Sequence, residues 1–278
     1  MSDLIKLKLT IAYDGTAYQG WQVQKTGMGV QQKVEESLAK LFPSVKRIMS
    51  SSRTDTGVHA LGMVADVEIP KAEFRMTLHK LPLAVNSYLP EDIRIVAARR
   101  VPLGFHARFH ASGKQYRYSV WNHTAMNPLL RTQAWHVPVK LDVKAMRVAA
   151  KHLVGKHDFR SFAANHSYKI EDTVRTMTRC DIKRAGPLIT VIIEGDGFLY
   201  KMCRGIAGTL VQLGRGKFSE AELKQMLAAK DRRVAGMTAP AQGLVLWKVF
   251  YKSKDGSRRD EARFKLQRDI ESPSQNGV

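Results

Sequence analysis

Residues 4–13 read Leu-Ile-Lys-Leu-Lys-Leu-Thr-Ile-Ala-Tyr, with Ile5, Leu7, Leu9 and Ile11 on one side of an alternating pattern. A period of two with polar residues between predicts a strand that lays one face on a core, and the stretch lacks the uninterrupted apolar run of a signal peptide. Further along, Val30, Val34, Leu38 and Leu41 recur at helical spacing and stop before Pro43, while Met63, Ala65, Val67 and Ile69 alternate with Val64, Asp66 and Glu68. The first is a predicted helix, the second a strand. Together the patterns give strand 4–13, helix 30–41, strand 45–50, strand 62–69, helix 72–84 and strand 93–101, the order β-α-β-β-α-β. After a loop-rich stretch around Phe105 to Arg108 the order recurs: strand 114–121, helix 142–153, strands 174–183 and 188–195, helix 198–213 and strand 243–251. A further helix at 219–229 opens with Ser219 and Glu222, the spacing of a capping box. The expected fold is α/β in the α+β sense: two ferredoxin-like halves, 1–104 and 105–251, with mostly antiparallel sheets flanked by helices. Two such sheets would leave their other faces, and the cleft between the halves, free for a large ligand.

A length of 278 residues allows one large domain or two modest ones. With 44% hydrophobic and 25% charged residues, global disorder and a fibrous chain are excluded. Charge is the unusual figure, since 45 basic against 25 acidic residues leaves +20. The last 27 residues, 252–278, hold seven basic and five acidic residues and few apolar ones, which reads as a mobile tail. Most of the excess therefore lies on residues 1–251. From Ile93 to Leu141 there is no Asp or Glu, and Arg94, Arg99, Arg100, Arg108 and Lys114 are interleaved with Phe105, Phe109, Tyr116 and Tyr118. Cations for phosphates mixed with rings for bases suit a polynucleotide better than anionic lipid, because no basic amphipathic helix accompanies them. The two cysteines, Cys180 and Cys203, form no CxxC and can supply neither a disulfide framework nor a zinc cage, which fits a reducing cytoplasm. No run of about 18 apolar residues marks a membrane span.

No GxxxxGK[ST] or GxGxxG motif points to a nucleotide cofactor, and Asp55 with His59 at i+4 makes at best two ligands of an unassembled metal site. The segment Arg53-Thr54-Asp55-Thr56-Gly57-Val58-His59 between two strands has two readings. It is either an Asx-type turn in which Asp55 bonds nearby amides and Gly57 relieves strain, or a loop that offers a carboxylate to a ligand. Arg204, set in the predicted helix beside Met202 and Cys203, is either solvated or paired with an anion such as Asp55. Tyr116 and Tyr118 share one strand face, for core packing or for stacking on a base.

Six ordered motifs resemble the TruA-type tRNA pseudouridine synthases. They are Tyr-Asp-Gly-Thr-Ala-Tyr-Gln-Gly-Trp-Gln-Val-Gln at 13–24, Ser-Arg-Thr-Asp-Thr-Gly-Val-His-Ala at 52–60, Phe-His-Ala-Arg-Phe at 105–109, Tyr-Arg-Tyr at 116–118, Phe-Leu-Tyr-Lys-Met-Cys-Arg at 198–204, and Ala-Pro-Ala-Gln-Gly-Leu-Val-Leu at 239–246. The resemblance implies the pseudouridine synthase fold with a central RNA-binding cleft, and a homodimer that works without metal or organic cofactor. It implies isomerisation of uridine to pseudouridine at positions 38 to 40 of the tRNA anticodon stem-loop. Asp55 matches the catalytic aspartate, Tyr116 the tyrosine that stacks on the target base, and Arg204 the arginine that pairs with the aspartate. Arg53 and His59 belong to the aspartate loop, for RNA contact or loop support. The chain departs from the family at Ser52, Thr56 and Gly205, where Gly, Ala and Asn are usual. A noncatalytic RNA-binding protein or chaperone on the same scaffold is the alternative.

Overall fold

The computed structural model describes residues 3–24, 27–164, 172–252 and 258–260. In chain order they form β1 (Leu4–Tyr13), α1 (Val30–Leu41), β2 (Met49–Ser50), β3 (His59–Pro70), α2 (Leu81–Asn86), β4 (Ile93–Val101), β5 (Ala111–Trp121), β6 (Trp135–His136), α3 (Val143–Lys151), β7 (Gly155–Asp158), β8 (Val174–Ala185), β9 (Leu188–Gly195), α4 (Met202–Gly214), α5 (Glu220–Ala229), β10 (Leu244–Lys252) and β11 (Arg258–Asp260).

All the strands join one sheet, which is where the structure departs from the expected pair. Its order is β4-β1-β3-β10-β5-β9-β8-β7, with β2 on β3, β6 on β5 and β11 on β10. Within it, β4-β1-β3-β2 and β10-β5-β9-β8 repeat one order, fourth-first-third-second, as the repeated element order requires. The two sets fuse because β10 pairs with β3 in parallel at Val245–His59 and Leu246–Ala60. Apart from this join and β5–β6, the pairings are antiparallel.

On the apolar face of β1, Leu7, Leu9 and Ile11 are completely buried, as are Val34 and Leu38 of α1. Each such side chain contributes roughly 1.5–3 kcal/mol relative to exposure. Polar positions are enclosed too, Lys8 and Thr10 on β1 and Asp66 on β3, while Glu68 stays exposed. Asp66 is enclosed because Lys6 lies 3.2 Å away and the backbone N–H of Ala107 donates to it at 2.7 Å. Those partners offset the cost of burying a carboxylate.

Several predicted elements change length. The helix expected at 72–84 is a 3₁₀ turn at Leu78–Lys80 followed by α2, because Pro82 fits only in a first helical turn. It runs past residue 84 since the Asn86 side chain exchanges two hydrogen bonds with the backbone of Ile95 in β4. The strand expected at 45–50 pairs only at Met49–Ser50. The helix expected from 198 begins at Met202, after Lys201 in a left-handed conformation (φ 57°). The capping box of α5 forms as read, with Ser219 and Glu222 each bonded to the other's backbone N–H. Of the predicted tail, Lys252 ends β10 and Arg258–Asp260 pair with it; residues 253–257 and 261–278 lie outside the described residues. No helix among the described residues is long and apolar enough to cross a membrane.

Candidate active site

A cleft of about 930 Å³ opens between the two halves of the sheet. Among the described residues its lining includes six cations, Arg47, Arg53, Arg108, Lys114, Lys201 and Arg204, against a single carboxylate, Asp55.

The loop that carries Asp55 is built by its backbone. The Val58 N–H donates to the Asp55 carbonyl at 3.1 Å, and Gly57 at the third position has φ +75°, the arrangement of a type II turn. The Asx-type turn is not formed, since among the described residues no amide donates to the Asp55 side chain: backbone closes the turn with Gly57, and the side chain is left to reach elsewhere. Two anchors fix the loop to β1 and the segment after it. The Trp21 N–H donates to the Thr54 carbonyl at 3.1 Å, and the hydroxyls of Tyr13 and Thr54 lie 2.7 Å apart.

From the other half of the molecule, Arg204 Nη1 donates to Asp55 Oδ2 at 3.0 Å, with both side chains largely enclosed at 14% and 18% exposure. The same guanidinium donates from Nε to the Ala239 carbonyl at 2.8 Å, so its plane is fixed at two points. Oδ1 of Asp55 has no hydrogen-bond partner among the described residues, and Asp55 lines the cleft. Tyr116 sits in β5 between Ile193 and Leu246, only 7% exposed but lining the cleft, with Phe198 edge-on at 5.2 Å. Burial first, and then the neighbouring Cys203, push its phenol well above the ordinary tyrosine range. Tyr118 on the same face is fully buried and donates to the Pro240 carbonyl at 2.8 Å, so it belongs to the core.

The remaining site candidates separate. Arg53 is exposed at the cleft. His59 is 5% exposed and outside the lining: its Nδ1 lies 3.0 Å from the Gly15 nitrogen and 3.1 Å from Asp14 Oδ1, and its Nε2 lies 3.1 Å from the Gln242 carbonyl, contacts that tie the loop to its surroundings. Arg108 and Lys114 line the cleft. Arg108 arrives there because Ala107 is clasped between Asp66 and the Tyr251 hydroxyl, which donates to its carbonyl at 2.7 Å; the two residues that follow, Arg108 and Phe109, are exposed, the latter at 72%, and line the cleft.

Arg94, Arg99 and Arg100 are not in the lining. Arg94 donates to the carbonyls of Pro90 and Ile93. Arg99 and Arg100 pair with Lys8 and Leu7, several residues along β1 from Tyr13, and Arg100 lies over the Phe74 ring at 5.6 Å.

Of the departures, Ser52 is buried, and Thr56 is exposed without a hydrogen bond to Asp55. Gly205 has a packing reason, since a Cβ there would sit 2.1 Å from the Phe162 carbonyl oxygen. Sequence reasoning missed the work of residues 239–242, whose carbonyls hold Arg204, Tyr118 and His59. The compositional signal was Gly243, where a Cβ would strike the Tyr118 ring at 2.6 Å. No group of three or more His, Cys, Asp or Glu side chains among the described residues is placed to hold a metal ion.

A sequence profile of the tRNA pseudouridine synthases matches residues 9–110 and 149–252. The chain is 44% identical over 249 residues to tRNA pseudouridine synthase A of Bacillus pumilus, covering 89% of this chain and 99% of that one. It is 45% identical over 249 residues to the protein of the same name from Bacillus subtilis, with the same coverage. For that of Geotalea daltonii, identity is 43% over 245 residues, 88% of this chain and 99% of the relative. Over most of its length, and with its cleft built from both halves of one sheet, the chain belongs to the tRNA pseudouridine synthase family of isomerases.

Proposed function

We propose that the protein converts uridine to pseudouridine in the anticodon stem-loop of tRNA, at positions 38 to 40, with Asp55 as nucleophile. The observation that carries this reading is the pairing of Asp55 with Arg204: among the described residues the only carboxylate in a cationic cleft, braced on Oδ2 and without a partner on Oδ1. Oδ1 attacks C1′ of the target uridine and the C1′–N1 bond breaks, its electron pair leaving with the uracil. The freed base turns against Tyr116, C5 joins C1′ as the Asp55 oxygen departs, and the proton lost from C5 is balanced by one gained at N1. Nothing is oxidised or hydrolysed overall. The target base must first leave its stack, which an aromatic platform and cations for the backbone both favour. Arg53, exposed beside the nucleophile, is assigned to RNA contact.

We also take residues 1–104 and 105–251 as the two ferredoxin-like units, and the working protein as a homodimer in the cytoplasm. The buried free thiols of Cys180 and Cys203 suit a reducing compartment. A monomeric mass in solution would remove the dimer from this account.

The decisive experiment is pseudouridine mapping of unmodified tRNA transcripts after incubation with wild type and with Asp55→Ala. Pseudouridine in the anticodon arm with wild type alone is expected, together with a turnover loss of at least about 10⁴-fold in the variant and retained tRNA binding. Binding by both proteins with no pseudouridine from either would favour a noncatalytic RNA-binding role.

A further inference from the structure

The cations of the cleft differ in what they already hold. Arg204 is committed to Asp55, whereas Lys114 and Arg108 have no carboxylate within ion-pair distance among the described residues. Lys114 lies two residues before Tyr116 on β5, so the two share a strand face at a separation of roughly 7 Å. That is about one nucleotide from the ring on which the target base is proposed to stack. The groups around Lys114 are Arg108 from the segment before β5, Arg175 of β8, which is bridged to Asp172 at 3.4 Å, and Cys203 of α4. The adjoining strands offer Val249 and Gly195 in register, neither charged. Withdrawal from water, and then the positive Arg108 and Arg175, push Lys114 down to about 8, while burial holds the Cys203 thiol well above its ordinary value. An ammonium drawn from water beside two guanidinium groups lacks only an anion.

We propose that Lys114 is a proton-linked anchor for the RNA phosphate adjoining the nucleotide held against Tyr116: the phosphate makes it fully cationic, and the empty cleft does not. This rests on the reading of the cleft as a tRNA site. A phosphate beside the amine favours its charged form, so binding takes up a fraction of a proton near pH 8. Affinity therefore falls as pH rises, by roughly fivefold to tenfold between about pH 7.5 and 9. Arginine at the same place would keep its charge throughout and lose no affinity over that range.

The test compares wild type, Lys114→Arg and Lys114→Gln for binding to one tRNA transcript, at salt from about 50 to 200 mM and at both pH values, with pseudouridine scored in the same samples. Lys114→Gln should bind roughly fivefold to tenfold more weakly, with the slope of log affinity against log salt shallower by about one phosphate, 0.7 to 0.9. Lys114→Arg should keep the wild-type slope and show no loss toward pH 9, a comparison that does not depend on how well the Gln variant folds. An unchanged slope in Lys114→Gln, or a pH loss in Lys114→Arg equal to that of wild type, overturns the anchor. Failure of wild type to form pseudouridine overturns the tRNA isomerase reading and the anchor with it, whereas pseudouridine with an unmoved slope overturns the anchor alone.

Discussion

The two halves of this sheet repeat one strand order and differ at the connections. Between β8 and β9 the chain turns through Gly186 and Pro187 alone, while the matching connection between β2 and β3, residues 51–58, is the long loop that presents Asp55. The difference reverses at the second helix: α2 spans six residues and bears no charged side chain, but α4 spans thirteen and carries Arg204. A shared scaffold thus sets where the halves meet, and each half contributes to the cleft where it breaks the repeat. Neither half alone holds both members of the ion pair.

That contrast can be pressed at four points. Replacing Arg204 with Ala should lower the single-turnover rate by roughly 10² to 10³, with at most about a threefold loss of tRNA affinity, because in the proposed mechanism the guanidinium braces Asp55 more than it grips RNA. Equal losses in rate and affinity would reduce Arg204 to a phosphate contact and erase the division of labour between the halves. Gly205→Ala sets two effects against each other. Helix propensity favours Ala by about 0.8–1.0 kcal/mol, but the new Cβ meets the Phe162 backbone oxygen at 2.1 Å, and overpacking costs typically 1–3 kcal/mol. A backbone carbonyl cannot swing aside as a side chain can, so crowding wins; a net loss in urea denaturation is expected, and a gain would show α4 free to slide.

Tyrosines from both halves supply a third comparison. Burial raises the phenols of Tyr13 and Tyr116 above their ordinary value of 10. Groups raised in the folded state contribute stability that is intact below pH 10 and is lost as pH climbs above it, since the unfolded chain then releases protons that the folded one keeps. Lys114 acts in the opposite sense: its value is depressed to about 8 from 10.5, so its contribution to stability improves between those pH values. Thermal melts from pH 7 to 11 should show the alkaline decline flattened in Tyr116→Phe, and the rise from Lys114 removed in Lys114→Met. Smallest is Thr56→Ala, expected to change the rate less than about twofold because the exposed hydroxyl bonds nothing near Asp55. A larger change would mean that Thr56 meets the substrate.

Much of the sheet was legible because its strands announce themselves by alternation. β1, β4 and β9 fall where the pattern of two places them, and α1 where the pattern of 3.6 does. Elements of two to four residues, β2, β6 and β7, are too short to show a period. The extent of α2 was set by Pro82 and Asn86, one covalent and one tertiary, and apolar spacing registers neither. At the site, the charge-dense run from Arg94 to Lys114 looked like one surface, but pairing sends Arg94, Arg99 and Arg100 to the edge strand β4 and Lys114 to β5 in the middle of the sheet. Asp55, Tyr116 and Arg204 were marked by family resemblance, and only the fold makes Asp55 and Arg204 neighbours across 149 positions. The segment 239–242 was silent for a simpler reason. It acts through backbone carbonyls, which every residue possesses, so its side chains carry no record of the task.

The place of β10 in the sheet has a consequence for how the protein is made. This strand, residues 244–252, lies between β3 and β5, both of which a ribosome releases much earlier. Until it emerges, a nascent chain already bears Asp55, Tyr116 and Arg204 but has two strand edges waiting for the same missing neighbour. Such edges are templates for unwanted pairing, and long-range closure of this kind is slow. Translation that stalls near the end would yield a chain with its reactive groups in place along the sequence, no seam to bring them together, and an exposed invitation to aggregate. A strand made after all three residues is therefore the one that turns a list of residues into an enzyme.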